Sequence, residues 1–394
     1  MKKILTATAT MALLAGAAQA DEIKLGVLLG FTGPAESLAG HMADGAEAAF
    51  DEVTQSGLLL GGMSVSSVRA DTSCVDASVA TAAAERLITG DGVSGIVGAL
   101  CSTSTTAAFQ NVARANGMVM ISPASTSPAL STIEDDGLFF RTAPSDARQG
   151  VVMAEVLLEQ GINSVAVTYT NNDYGKGLAD SFQTAYEERG GTVTINAAHE
   201  DGKADYSAEV ASLAAAGGDR LVVAGYIDQG GPGIIRAALD TGAFDTFHLP
   251  DGMIGDSLQE RFGDEIEGST GQVPGTDSPG AAMMEEVGAK YDFQGTAPFA
   301  PESYDAAALI MLAMQATGST DPMVYKDAVM DVANAPGEMI YPGELAKALQ
   351  ILADGGDVDY QGGSAVELIG GGESAGNYRQ IEVIDGVITT VQYR

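Results

Sequence analysis

The sequence has no tryptophan, three histidines, two cysteines and few basic residues: 19 Lys and Arg stand against 53 Asp and Glu, a formal net charge of −34 at pH 7. So acidic a chain is unsuited to nucleic acid or to anionic membrane surfaces. The acidic residues are spread along its length, as on a solvated surface, and mark no metal site. His41, His199 and His248 are isolated, with no His or Cys partner at metal-ligand spacing, which excludes the usual zinc arrangements. Gly26–Gly33 does not follow the Gly-x-Gly-x-x-Gly dinucleotide pattern, and no Gly-x-Ser-x-Gly nucleophile elbow occurs. Hydrolase and dehydrogenase readings therefore rank below a binding role, and no cofactor is implied. Beyond the N-terminal segment no stretch reaches the roughly 18 apolar residues that span a bilayer. The best candidate, Ala306–Ala316, reads as a core helix.

What is present begins with a targeting segment. Lys2 and Lys3, the apolar stretch Ile4–Ala17 and the Ala18-Gln19-Ala20 signature predict a signal peptide over residues 1–20, cleaved after Ala20. Residue 21 is Asp rather than Cys, so a lipid anchor is not expected, and the mature chain is expected free in the periplasm. The 45% hydrophobic content excludes a disordered chain. In an exported chain Cys74 and Cys101 read as a disulfide, which would tie down the turn that starts at Ser102.

The most informative stretch runs from Gly98 to Thr126. Val93–Gly98 suits a buried strand, Ala107–Asn116 a helix and Met118–Ser122 a second buried strand. Strands joined this way lie parallel, so the hydroxyl-rich turns after each fall at one carboxyl edge, where open α/β sheets bind ligands. Their Ser, Thr and backbone N–H groups suit an anion such as a carboxylate. Ile23–Leu29, Ser64–Ala70 and the helices Ala39–Thr54 and Val75–Thr89 complete a first βα series. A second series runs from the helix Ala147–Gln160 to a short helix near Ser257–Phe262. Helical segments follow at Ala281–Tyr291, Glu302–Ala316, Val324–Asn334 and Gly343–Ala353. A strand at Ala365–Ile369 precedes a hairpin that turns at Asp385-Gly386. The expected fold is α/β: two doubly wound α/β lobes joined by three crossover segments, with a ligand cleft between them. The crossings are expected near Leu138–Pro144, Gly271–Asp277 and Asp359–Gly363. That assigns residues 21–142 plus 275–358 to lobe 1 and 143–274 plus 359–394 to lobe 2.

An ordered set of short motifs resembles a known family. It comprises Asp71-Thr72-Ser73-Cys74 with Gly98–Ser104, Ile121–Thr126, Asn172–Gly177, Ala224-Gly225-Tyr226 and Leu249-Pro250-Asp251-Gly252. Singly each could be a cap or a turn; together they resemble the periplasmic solute-binding proteins of ABC transporters of the branched-chain amino acid type, with the type I periplasmic-binding fold. The resemblance implies that Ser102 and Thr126 hold a ligand α-carboxylate, with Thr103 and Ser125 beside them in the same subsite. It implies that the Ala124 carbonyl and Asp251 take the α-ammonium, where the amino-acid binders usually carry Glu. Tyr174 and Tyr226 would cover the ligand from the second lobe, and Phe299 would lie near its side chain. Leu38 departs from the pattern, standing where related binders often have an aromatic residue. The implied function is capture of an amino acid, hydrophobic or branched-chain-like, by a monomer that delivers it to an inner-membrane permease. An amide, urea or aromatic acid, or a sensor role, is the alternative on the same fold.

Overall fold

The computed structural model describes residues 22–394; the expected signal peptide and its cleavage site lie outside the described residues. The first five strands are β1 (Glu22–Leu29), β2 (Ser64–Asp71), β3 (Ile96–Gly98), β4 (Met120–Ser122) and β5 (Phe139–Pro144). The next five are β6 (Ser164–Thr170), β7 (Thr192–His199), β8 (Arg220–Ala224), β9 (Phe247–Leu249) and β10 (Thr270–Pro274). A small two-stranded sheet pairs β11 (Glu338–Ile340) with β12 (Val358–Tyr360). The chain ends with β13 (Leu368–Ile369), β14 (Glu373–Ser374), β15 (Tyr378–Ile384) and β16 (Val387–Tyr393). Two seven-stranded sheets result, in the orders β13-β14-β5-β4-β3-β1-β2 and β16-β15-β10-β9-β8-β6-β7. The second order repeats the five parallel strands of the first, and each sheet gains a two-stranded addition at the same edge, parallel to β5 in the first and antiparallel to β10 in the second.

The central strands of both sheets are parallel and buried on both faces. Their residues are accordingly apolar in continuous runs, such as Leu25 and Val27–Leu29 in β1 and Leu221–Ala224 in β8, rather than alternating. In the first lobe the helices α1 (Glu36–Ser56), α2 (Ala77–Glu85) and α3 (Ser102–Ala108) connect the strands. In the second, α4 (Asp146–Glu159), α5 (Asp173–Glu188), α6 (Ser207–Ala216), α7 (Gly231–Thr241) and α8 (Asp256–Phe262) do so. The chain then returns to lobe 1 through α9 (Pro279–Tyr291) and α10 (Ala300–Thr317), the latter buried along nearly its whole length against α1.

The crossings differ in detail from expectation. Leu138–Pro144 is not a link: all six residues of β5 are buried in the first sheet, and the chain crosses just after it, at Ser145. The second crossing follows β10 and occupies Gly275–Ser278. The third falls at Ala375–Asn377, because β13 and β14 pair with β5 in the first sheet. Residues 359–374 therefore belong with lobe 1. The glycine-rich Gly362-Gly363 reads as a linker, yet it is anchored. The buried Asp305 carboxylate on α10 accepts hydrogen bonds from Tyr360 Oη (2.8 Å), Gly363 N (2.8 Å), Ser364 N (2.8 Å) and Ser364 Oγ (2.6 Å). Val324–Asn334 also divides, into short helices at Pro322–Tyr325 and Ala328–Ala333.

The two lobes are closed on each other. Ser37 N donates to Asp228 Oδ2 at 2.8 Å, Asp228 N to the Pro34 carbonyl at 3.0 Å and Asp173 N to Thr103 Oγ1 at 3.2 Å. On the same face a Cβ added to Gly177 of α5 would lie 2.8 Å from Pro128 Cδ, so this helix approaches lobe 1 where only glycine fits. Cys74 and Cys101 are disulfide-bonded, with Cα atoms 5.6 Å apart and a sequence separation of 27. Closing a loop of that length stabilises by about 3–4 kcal/mol on the chain-entropy estimate. Reduction is therefore expected to lower the melting temperature by several degrees. A thiol titration that finds two free thiols in the native oxidised protein would contradict the bridge.

Candidate functional site

The carboxyl ends of the central strands of both sheets face the closed cleft. β3 ends at Gly98, and the chain turns through Cys101 into α3, whose first residue is Ser102. The helix thus starts five residues before the expected Ala107, because no Gly or Pro interrupts the run of hydroxyl residues after the disulfide. β4 ends at Ser122, and the turn Pro123–Ser127 follows. In the second lobe Tyr174 lies in the first turn of α5, whose Asn172 cap accepts from Gly175 N at 2.9 Å. Tyr226 follows β8, and Asp251 follows β9 through Pro250.

Six of the expected site residues line one small cavity between the lobes: Ser102, Ala124, Tyr174, Tyr226, Asp251 and Phe299. Leu38, Leu100 and Gly252 complete the wall. The Tyr174 and Tyr226 rings stack with centroids 5.1 Å apart and planes 20° from parallel, forming a rigid lid on the lobe-2 side. Tyr174 Oη donates to Asp251 Oδ1 at 2.7 Å, and Gly252 N donates to the same oxygen at 2.8 Å. Asp251 is thereby held in place through Oδ1. Phe299 is buried and holds a left-handed backbone (φ 63°), an uncommon conformation for an aromatic residue. It caps α10 and sets its ring against the apolar side of the cavity formed by Leu38 and Leu100.

Three expected residues do not line that cavity. Thr103 takes the interlobe bond from Asp173 N. Ser125 Oγ lies 3.1 Å from both the Ala99 and Leu100 carbonyls and 2.6 Å from Thr105 Oγ1, so it braces the two turns against each other. Thr126 is buried behind the wall, where its carbonyl accepts from Asp146 N at 2.8 Å and its side chain lies beside the Asp146 carboxylate.

A second acid escaped the sequence reading. Asp146, fully buried at the first residue of α4, has neither carboxylate oxygen hydrogen-bonded. Burial and the neighbouring Asp251 charge push its carboxyl well above the usual range. Burial also raises Asp251, although Tyr174, Gln149 and the Gly252 N–H hold it back in part. The Tyr378 hydroxyl and the Gln149 amide, buried beside these acids, complete this polar cluster. The available signal was position: Asp146 directly follows the first crossing, where a side chain can reach both lobes.

Burial elsewhere shapes the pH response. It pushes the Glu302 carboxyl from its ordinary 4.5 up to about 8 and that of Asp305 from 3.8 up to about 6. Each folded-state value exceeds the unfolded one, so their stabilisation is complete in acid and is lost as pH rises through the folded values. The Glu302 contribution is lost from about pH 4.5 to about 8, and Glu302→Gln is expected to flatten the fall in melting temperature of the ligand-free protein over that range. Parallel pH profiles for the two proteins would refute the assignment. Burial lowers His199 to about 4 and His248 to about 3, so these residues cost stability on the acid side as pH drops below 6.5.

Comparison with known proteins meets this geometry. The family model described as periplasmic binding protein matches residues 22–337. The chain belongs to that family. It is similar to the leucine-specific-binding protein of Salmonella typhimurium, at 29% identity over 347 residues, covering 86% of this chain and 91% of that protein. It is also 30% identical to a Leu/Ile/Val-binding protein homolog 1 of Brucella melitensis over 337 residues, covering 84% and 88%. In fold, this periplasmic binding protein resembles a leucine-binding protein from Thermotoga maritima (TM-score 0.79, 23% identity, covering 94% and 98%). A solute-binding protein from R. palustris in complex with benzoate is also similar (TM-score 0.76, 18% identity, covering 94% and 96%). Among the described residues no helix is long and apolar enough to cross a membrane.

Proposed function

We propose that this periplasmic binding protein is the solute-capturing component of an ABC importer and that its ligand is an amino acid with an apolar side chain. The observation that carries the reading is the polarity of the cavity. Ser102 lines one wall, the locked Asp251 faces it under the two stacked tyrosines, and Leu38, Leu100 and Phe299 supply an apolar wall. A zwitterion needs donors for its carboxylate and an acid for its ammonium a few ångströms apart, with an apolar wall for the side chain. Asp251, shorter than the Glu usual in the amino-acid binders, and the second acid Asp146 add to the cation-binding character of one side. The names of the relatives, which specify leucine, isoleucine and valine, support the same ligand class.

The ligand would touch both lobes and so favour the closed form by its differential affinity for it. The closed form would then be presented to a permease in the inner membrane. The mature protein would be a periplasmic monomer that starts at Asp21, with the signal peptide removed after Ala20 and no lipid attached. A thermal-shift screen of the mature protein against amino acids, amides, urea, polyamines and aromatic acids tests the assignment. Binding to the native state raises the midpoint by mass action, and leucine, isoleucine or valine is expected to give a large shift. A shift confined to amides or aromatic acids would overturn the amino-acid reading.

A further inference from the structure

Arg141 on β5 is the largest fully buried side chain, only 1% exposed, and it does not touch the cavity. One end of its guanidinium, Nη1, donates to the Ser125 carbonyl at 3.2 Å and to the Ser127 carbonyl at 2.9 Å. The other, Nη2, donates to Ser131 Oγ at 2.6 Å and to Glu373 Oε2 at 2.5 Å. One cation thus grips both ends of the turn that carries Thr126, while Glu373 of β14, more than two hundred residues later, holds the cation from behind. A trans peptide directs its C=O and N–H in opposite senses. With the Ser125 carbonyl turned onto Arg141, the N–H of the same peptide, that of Thr126, points away from the guanidinium. Among the described residues no group accepts that N–H. On the next residue the Ser127 N–H donates to Ser102 Oγ at 3.2 Å, which fixes this cavity-lining serine to the turn as an acceptor and leaves its hydroxyl proton free to donate to a ligand. A charge on the carbonyl side of an amide also polarises its N–H into a stronger donor.

From this geometry we infer that Arg141 is the residue that positions the Ser102–Thr126 subsite and makes it selective for a free carboxylate over its carboxamide. The inference rests on the proposed carboxylate subsite and narrows the ligand class to acids. The buried positive charge, one peptide behind the donors, stabilises an anion there and offers nothing to a neutral amide, which would also have to bury its two N–H donors among donors. Lysine cannot replace it: a single ammonium lacks the planar fork that reaches two carbonyls on one side and a carboxylate on the other.

Calorimetry with two matched pairs, L-leucine against L-leucinamide and benzoate against benzamide, tests this on the wild-type protein, Arg141→Lys and Glu373→Gln. The wild type is expected to prefer the acid of whichever pair it binds by about a hundredfold. Arg141→Lys is expected to reduce that ratio at least tenfold, while the preference for leucine over 4-methylpentanoate, which reports the ammonium side, stays unchanged. Glu373→Gln leaves Arg141 in place and removes its counter-charge, so the acid-to-amide ratio is expected to rise; this arm stands even where the lysine variant does not fold. An unchanged ratio in folded Arg141→Lys, or a ratio that fails to rise in Glu373→Gln, would overturn the role of Arg141. Failure of the wild type to bind leucine while it binds benzoate would instead overturn the amino-acid reading and leave the carboxylate selectivity under test by the second pair.

Discussion

Replacing Asp251 with asparagine should abolish amino-acid capture at physiological concentrations while leaving the fold intact. Asparagine keeps the shape of the side chain, and its carbonyl oxygen can still accept the Tyr174 hydroxyl that now reaches Asp251 Oδ1 at 2.7 Å. What it removes is the charge opposite the ligand ammonium. Truncating one partner of a buried charge pair costs about 2–5 kcal/mol in binding, which weakens affinity by roughly 30- to 4000-fold. The ligand-free protein should melt at the same temperature or slightly higher, because the variant removes a carboxyl whose ionisation burial opposes. Calorimetry and melting curves on the same preparation separate the two effects. Near-wild-type affinity in the variant would show that the ammonium lies elsewhere.

The combined Ser102→Ala and Thr126→Val variant should lose nearly as much, for the opposite end of the ligand. Ser102 lines the cavity and Thr126 lies behind its wall, both at 1% exposure, so the double variant removes the wall hydroxyl together with the one that backs it. A hydrogen bond to a charged group is worth about 1.5–3 kcal/mol, so each hydroxyl that contacts the carboxylate contributes about a tenfold to hundredfold factor. The backbone N–H of Thr126 survives both substitutions, which sets the expected residual binding. Losing only the Thr126 contribution, with Ser102→Ala silent, would move the carboxylate off the cavity wall that Ser102 forms.

Much of the fold was legible because parallel strands buried on both faces leave unbroken apolar runs. Ile23–Leu29 and Asp219–Gly225 announce themselves in this way, and each has a parallel neighbour on both sides in its sheet. The terminal segments were harder. Gly362-Gly363 and Gly370-Gly371-Gly372 have the composition of linkers, and only the buried carboxylate of Asp305, distant in sequence, reveals that the first pair is fastened to lobe 1. β13 and β14 are two residues each, too short to show any periodicity. In the site, the residues that line the cavity were those carried by local motifs: Ser102 and Ala124 in hydroxyl turns, Tyr174 beside a helix cap, and Asp251 in Pro-Asp-Gly. Asp146 and Arg141 were missed for one reason. Each is a charged residue in an ordinary-looking segment, and its meaning comes from burial against partners far away in sequence, which no local pattern encodes.

The central claim is that both ends of a zwitterion are held at once between the lobes. Titration of L-leucine into the purified mature protein, followed by L-leucinamide and 4-methylpentanoate under the same conditions, tests it most directly. The account predicts one leucine per chain, with each analogue, lacking one of the two charges, bound at least about tenfold more weakly. Equal affinity for leucine and for either analogue would contradict it.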